Sequence, residues 1–299
     1  MTLLFRCLSV LPLWLLHAIG WVLGWVAYLG SGVYRARFIS NAQQAGYNAG
    51  QVRAAVGHAG RMTAEVPRIW MGARVPLQWV NAPEVDALKQ AAASGRGVLF
   101  LSPHLGCFEV TAQGWSERYA PQLGDITVLY RPARKAWLAR VIALSRNRPG
   151  VVAVPTTLSG VKQLIKSLKS GRAVFLLPDQ VPPEGLGLWS PFFGRDAYTM
   201  TLAARLAQQT AATVFLLWSE RLTWGRGYRL HFAALKEPLS DDLPQAVAQI
   251  NREMEDLIGQ CPTQYLWGYA RYKQPQAAAH TSAHSPGSAA AAAPAKEAS

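Results

Sequence analysis

Val98-Leu99-Phe100-Leu101-Ser102-Pro103-His104-Leu105-Gly106-Cys107-Phe108-Glu109-Val110 joins an apolar run to a turn and a helix-like pattern. Val98 to Leu101 is an unbroken apolar run, the pattern of a strand covered on both faces. Pro103 and Gly106 break it, and Phe108, Val110, Thr111 and Trp115 continue at a spacing that suits a helix. A strand, a sharp turn and a helix put His104 at the carboxyl end of a central strand, where open α/β sheets place their sites.

His104 and Glu109 form an H-x4-E pair. Five residues along one regular helix turn about 500°, leaving two side chains about 140° apart. They can therefore meet only if His104 lies in the turn and Glu109 in the first helical turns. A carboxylate so placed fixes the tautomer of an imidazole and stabilises the imidazolium formed when it takes a proton. With six His and seventeen acidic residues in 299, a chance match is expected in about a third of such chains. The pair gains weight from its place after a buried strand. The bland alternative is a turn histidine with no chemical role.

Outward from this stretch, the chain alternates strands with helices. Asp125 to Tyr130, Val151 to Val154, Ala173 to Leu177, Thr213 to Trp218 and Tyr228 to Ala233 read as strands. Helices are expected over 41–74, from Pro83 to Ser94, over 133–146, after Thr157, over 199–210 and from Pro244 to Ile258. The fold class is α/β, a mainly parallel central sheet with helices on both faces. A loop rich in Pro and Gly, 182–194, carries Trp189, Phe192 and Phe193 and is expected to cover a site or touch lipid.

Half the residues are hydrophobic, 16% are charged, and the formal net charge is +13. That balance suits an anionic membrane or an acidic protein partner; the apolar composition argues against nucleic acid. Cys7, Cys107 and Cys261 are too scattered for a disulfide framework or a zinc site. From Cys7 to Tyr34 there is no formal charge with His17 neutral, enough to cross a bilayer. Pro12, Gly20 and Gly24 interrupt this segment, so a kinked or re-entrant hairpin is an alternative to a straight span. A cleaved signal peptide is the rival reading, opposed by the length of the stretch, the single preceding Arg and the lack of a clear small-x-small site at its end. Gly20 and Gly24 either admit a second helix at close range or are incidental. Arg35 and Arg37 follow the segment and only Arg6 precedes it, so the body is expected on the cytoplasmic side. Three regions follow: a membrane anchor over 1–38, an α/β domain over 39–274 and a disordered tail rich in Ala, Ser and Pro over 275–299.

Four further stretches join the H-x4-E element: Tyr130-Arg131-Pro132; Leu177-Pro178-Asp179-Gln180 leading to Trp189-Ser190-Pro191-Phe192-Phe193-Gly194; Gln264-Tyr265-Leu266-Trp267; and Arg271-Tyr272-Lys273. With the apolar N-terminal segment, they make residues 1–275 resemble the late acyltransferases of lipid A biosynthesis, within the lysophospholipid acyltransferase superfamily. The resemblance implies transfer of a fatty acyl chain from acyl carrier protein to a hydroxyl of a lipid A precursor, at the cytoplasmic face of a bacterial inner membrane. It implies that His104 is the general base, Glu109 its partner, and Arg131 and Asp179 polar site positions that bind substrate. No metal or cofactor is implied. Leu105-Gly106-Cys107 departs from the commonest intervening residues of that family.

The residues fit those roles. An alcohol is a weak nucleophile and needs a base as attack begins. Arg131 suits a phosphate or the tetrahedral oxyanion, alongside backbone N–H groups near Gly106. Asp179 reads as a structural partner or a second base. Another lipid acceptor (a lysophospholipid, glycolipid or ornithine lipid) is the near alternative, disfavoured by Pro178-Asp179-Gln180 where glycerolipid enzymes carry an E-G-T-R-like motif. A non-catalytic membrane adaptor is the distant one. The chain has no G-x-S-x-G elbow, which argues against a serine hydrolase.

Overall fold

The computed structural model describes residues 2–80, 83–130, 132–133 and 149–277. Five helices lead: α1 (Thr2–Val10), α2 (Leu13–Gly30), α3 (Gly32–Gln44), α4 (Ala54–Ala64) and α5 (Val66–Met71). They are followed by β1 (Leu77–Trp79), α6 (Pro83–Ala93), β2 (Val98–Leu101), α7 (Val110–Arg118), α8 (Ala120–Leu123), β3 (Ile126–Tyr130) and β4 (Val151–Pro155). The rest comprises α9 (Leu158–Lys169), β5 (Ala173–Leu176), β6 (Gly187–Phe192), β7 (Arg195–Met200), α10 (Leu202–Thr210), β8 (Thr213–Arg221), β9 (Tyr228–Ala234) and α11 (Leu243–Gln260). The basic helix expected over 133–146 and the tail from 278 lie outside the described residues.

Seven strands form one sheet in the order β1-β9-β8-β2-β5-β3-β4. Every pair is parallel except β8 with β9. The expected α/β architecture is therefore present, with β2 at its centre. Leu99 and Leu101 point into the apolar cluster on one face, Val98 and Phe100 into that on the other. All four are buried, which is why their run is continuous rather than alternating.

β8 is much longer than β2. It pairs with β2 only over Thr213 to Leu216, then runs on to Arg221. This overhang stands beside the turn after β2 and forms a ledge for it. The antiparallel return of β9 brings Tyr228 opposite Arg221.

Two segments depart from the sequence reading. From Gly187 onward, the loop expected over 182–194 and the start of the expected 199–210 helix are instead a hairpin, β6 with β7. Its two-residue turn, Phe193-Gly194, has positive φ at both positions, as a type I′ hairpin turn requires. A phenylalanine is strained there. Both its backbone groups are pinned: Phe193 N–H donates to Glu255 Oε1 (2.8 Å), and its carbonyl accepts from Gln44 Nε2 (2.7 Å). The helix then begins at Leu202. Residues 41–74 likewise hold no single helix, since the chain turns over 45–53 between α3 and α4.

α2 packs side-on against α4. A Cβ added at Gly20 would lie 2.5 Å from Arg61 Cα, and one at Gly24 2.2 Å from Val56 O. One at Gly60 would meet Gly20 O. The glycines on both helices thus let the backbones touch, as small-residue stripes do. The incidental reading of Gly20 and Gly24 does not hold. Arg61 Nε donates to the carbonyl of His17 (3.2 Å), and its guanidinium sits over the Trp21 ring. The opposite side of α2 exposes Val22, Leu23, Val26 and Leu29. The boundary expected at residue 38 falls inside α3.

Candidate active site

β2 and β5 are adjacent and parallel, with Leu101 opposite Leu176. His104 and Asp179 each stand three residues beyond that register pair, so the two turns leave the sheet side by side. Asp179 uses both carboxylate oxygens on His104. Oδ1 lies 2.6 Å from Nδ1, and Oδ2 accepts the backbone N–H of His104 at 2.9 Å. The Asp179 side chain is 2% exposed and that of His104 12%. With the Nδ1 proton given to Asp179, Nε2 keeps the lone pair. Burial alone would raise the Asp179 carboxyl. The His104 imidazole and the two hydrogen bonds outweigh it and hold the carboxyl below its ordinary range.

Asp179 is backed by Tyr265 and Arg271, both buried. Arg271 anchors the hairpin, donating to Tyr198 O (2.8 Å) and Thr199 Oγ1 (2.6 Å) and lying over the Phe192 ring. Tyr272 adds a hydrogen bond from its hydroxyl to Phe192 O (2.8 Å). The motif residues near the end of the domain thus brace the hairpin and the aspartate.

Glu109 sits at the N-terminal boundary of α7, as expected. The carboxylate hydrogen-bonded to the imidazole, however, is that of Asp179. Glu109 Oε2 accepts from Trp70 Nε1 on α5 at 2.8 Å. The sequence pattern pairs His104 with Glu109 because spacing is all it displays; the pairing with Asp179 crosses 75 residues and depends on strand order. Arg131 lies outside the described residues. The Phe108 ring meets the His104 ring edge-on, 4.8 Å between centroids.

The backbone donors expected near Gly106 are already spent. Leu105 N–H goes to Pro103 O, Gly106 N–H to Gln264 O and Cys107 N–H to Ser219 O. They hold the turn and are not available to an oxyanion. Cys107 is no nucleophile either: burial, then the neighbouring Glu65 carboxylate, pushes its thiol well up. Among the described residues, no group of three His, Cys, Asp or Glu side chains has a metal-binding arrangement.

The sequence reading passed over Glu65 and Arg221, an ion pair beneath this turn with side chains 1% and 0% exposed. Two signals were present. Glu65 is the only acidic residue before Glu84, and Arg221 follows closely on the apolar run Val214 to Trp218 of its strand.

A parallel sheet with a buried aspartate orienting a histidine at adjacent strand ends defines an α/β protein equipped for base chemistry at the carboxyl edge of its sheet. Residues 49–274 match the family described as bacterial lipid A biosynthesis acyltransferase. The chain belongs to that family. It is 26% identical over 205 residues to the lipid A biosynthesis palmitoleoyltransferase of Escherichia coli (strain K12), covering 68% of this chain and 64% of that protein. It is 26% identical over 219 residues to the lauroyltransferase of the same organism, covering 72% and 68%. It is 22% identical over 183 residues to a lipid A biosynthesis acyltransferase of Haemophilus influenzae, covering 61% and 56%. The chain thus spans just under two thirds of the length of the first of these relatives.

Proposed function

We propose that this protein transfers a fatty acyl chain from acyl carrier protein to a hydroxyl of a lipid A precursor, with His104 as general base. The observation that carries the reading is the His104–Asp179 pair, in a chain of this family. Asp179 holds Nδ1–H, so Nε2 faces the chemistry. Nε2 takes the proton of the acceptor hydroxyl as its oxygen attacks the thioester carbonyl. The tetrahedral intermediate collapses, the C–S bond breaks, and the departing thiolate recovers the proton from the imidazolium. Asp179 stabilises that imidazolium without itself becoming protonated. Glu109, at the N-terminal boundary of α7 and hydrogen-bonded to Trp70, is assigned a supporting role as the second carboxylate of this turn. Arg131 is assigned to a phosphate of acceptor or donor, or to the oxyanion.

The acidic surface of an acyl carrier protein suits a chain of formal charge +13. The exposed apolar side of α2 faces lipid. This helix is long and apolar enough to cross a membrane by length and composition, and the arginines that follow it favour a cytoplasmic body at the inner membrane.

Purified full-length protein, incubated with acyl carrier protein thioester and lipid A precursor, is expected to give the O-acylated product, with none from His104→Ala. Mass spectrometry of the lipid products reads the outcome. Acylation of a lysophospholipid, glycolipid or ornithine lipid instead would move the reading to that acceptor. Full activity in His104→Ala would end it.

A further inference from the structure

Beneath the turn that carries His104 lies a second charged cluster that the proposed reaction does not use. Arg221 Nη2 donates to Glu65 Oε1 (2.5 Å) and Nε to Glu65 Oε2 (2.8 Å). Glu65 Oε2 also accepts from the Tyr228 hydroxyl (2.9 Å) and from His17 Nε2 (3.0 Å). Arg221 Nη1 donates to His58 Nδ1 (3.0 Å). Burial, then Arg221 and Arg61, push His58 down to about 2, so it stays neutral and able to accept.

The cluster ends on one backbone atom of the catalytic turn. Arg221 Nη2 donates to the carbonyl of Gly106 at 3.0 Å. The Gly106 N–H donates to Gln264 O. Gln264 in turn grips the backbone of Arg221 with both ends of its amide, accepting from Arg221 N–H (2.8 Å) and donating to Arg221 O (3.0 Å). Both polar backbone groups of Gly106 therefore close on a single unit, Arg221 with Gln264. Gly106 itself has φ of +59°, and an added Cβ would meet Ser219 O. The turn is thus pressed against the ledge of β8, two residues from His104.

We infer that Glu65 and Arg221 are positioning residues for the acyl transfer: their ion pair clamps the Gly106 carbonyl and so fixes where His104 stands relative to the acceptor. This rests on the reading of His104 as the base. A buried charge pair is costly to assemble and well-packed apolar residues often replace it without loss of stability. Its presence here, with Arg221, Tyr228 and His17 all donating to Glu65 and with Arg221 Nη2 shared between Glu65 Oε1 and the Gly106 carbonyl, fits a positional task. His17 on α2 joins the same carboxylate, so the seat of that helix and the geometry of the turn are set together.

The test uses full-length protein carrying Glu65→Met with Arg221→Met, which leaves no unpaired charge, and Arg221→Lys, whose ammonium cannot reproduce the guanidinium fork. Thermal midpoint and circular dichroism report the fold. Hydrogen exchange in the peptide 102–110 reports the clamp directly, without reference to activity. We expect exchange there to quicken by about tenfold in both variants while the sheet peptides are unchanged. We expect kcat to fall by about 10- to 100-fold with KM for the acceptor little altered, as a small misplacement of a reacting group does. A lowered thermal midpoint with unchanged exchange in 102–110 and unchanged kcat per folded molecule would overturn the inference. Should the unaltered protein transfer no acyl group, the functional reading fails, and the exchange measurement alone decides the clamp.

Discussion

His104–Asp179 and Glu65–Arg221 are two carboxylate pairs at the same edge of the same sheet, and they differ in saturation. Glu65 receives donors from Arg221, Tyr228 and His17, and is enclosed on all sides. Asp179 holds only one side of the imidazole, and His104 keeps partial exposure. A fully satisfied pair has nothing left to offer a substrate and can only hold structure. A half-satisfied pair leaves one nitrogen to exchange a proton. The difference separates positioning from chemistry without reference to motif.

The comparison breaks most visibly at His104. His104→Ala is expected to lower acyl transfer by about 10³-fold or more, since a positioned base contributes about 10²- to 10⁴-fold, with the thermal midpoint little changed. Asp179→Asn comes next. It keeps the shape but offers the wrong partner to Nδ1, and a loss of about 10²- to 10⁴-fold in kcat is expected. Glu109→Gln sharpens the contrast, with an expected loss of about 10- to 100-fold. Steady-state kinetics on the three variants rank them. A larger loss for Glu109→Gln than for Asp179→Asn would transfer the orienting role to Glu109.

Smaller effects fall on stability. Gly24→Val forces a side chain against the Val56 carbonyl and is expected to cost about 1–3 kcal/mol, as overpacking does, seen as a lowered urea midpoint. The pH dependence of that midpoint adds a further check. Burial pushes Glu65 and Asp179 up, but Arg221 and His104 respectively bring both below their ordinary values of 4.5 and 3.8. The unfolded chain then takes up protons first as the medium acidifies. The stability from these two groups is full above those ordinary values and is lost as pH falls through the lower folded ones. In the Glu65→Met, Arg221→Met variant, the acid-side slope is expected to be shallower. An unchanged slope would remove Glu65 from this role.

The site was legible in part because strands announce their ends. The apolar runs before His104 and Asp179 locate both residues at the carboxyl edge, and Pro103 and Pro178 mark the turns. What spacing alone could not show is that β2 and β5 are neighbours in register. Only adjacency brings a carboxylate 75 residues away to the imidazole's Nδ1. The β6–β7 hairpin escaped for a related reason. Its turn uses Phe193 at positive φ, a position that glycine or asparagine would have advertised, and the cost is met by Gln44 and Glu255 from distant helices.

The α/β class, the buried central strand, the turn carrying His104 and the apolar helix at the N-terminus can all be read from residue order, because each follows from local pattern and composition. Tertiary structure alone decided which carboxylate holds the imidazole, that α2 lies against α4, and that Glu65 and Arg221 meet under Gly106. Those outcomes depend on strand order, on the overhang of β8 and on contacts between residues far apart in the chain, none of which leaves a periodic trace.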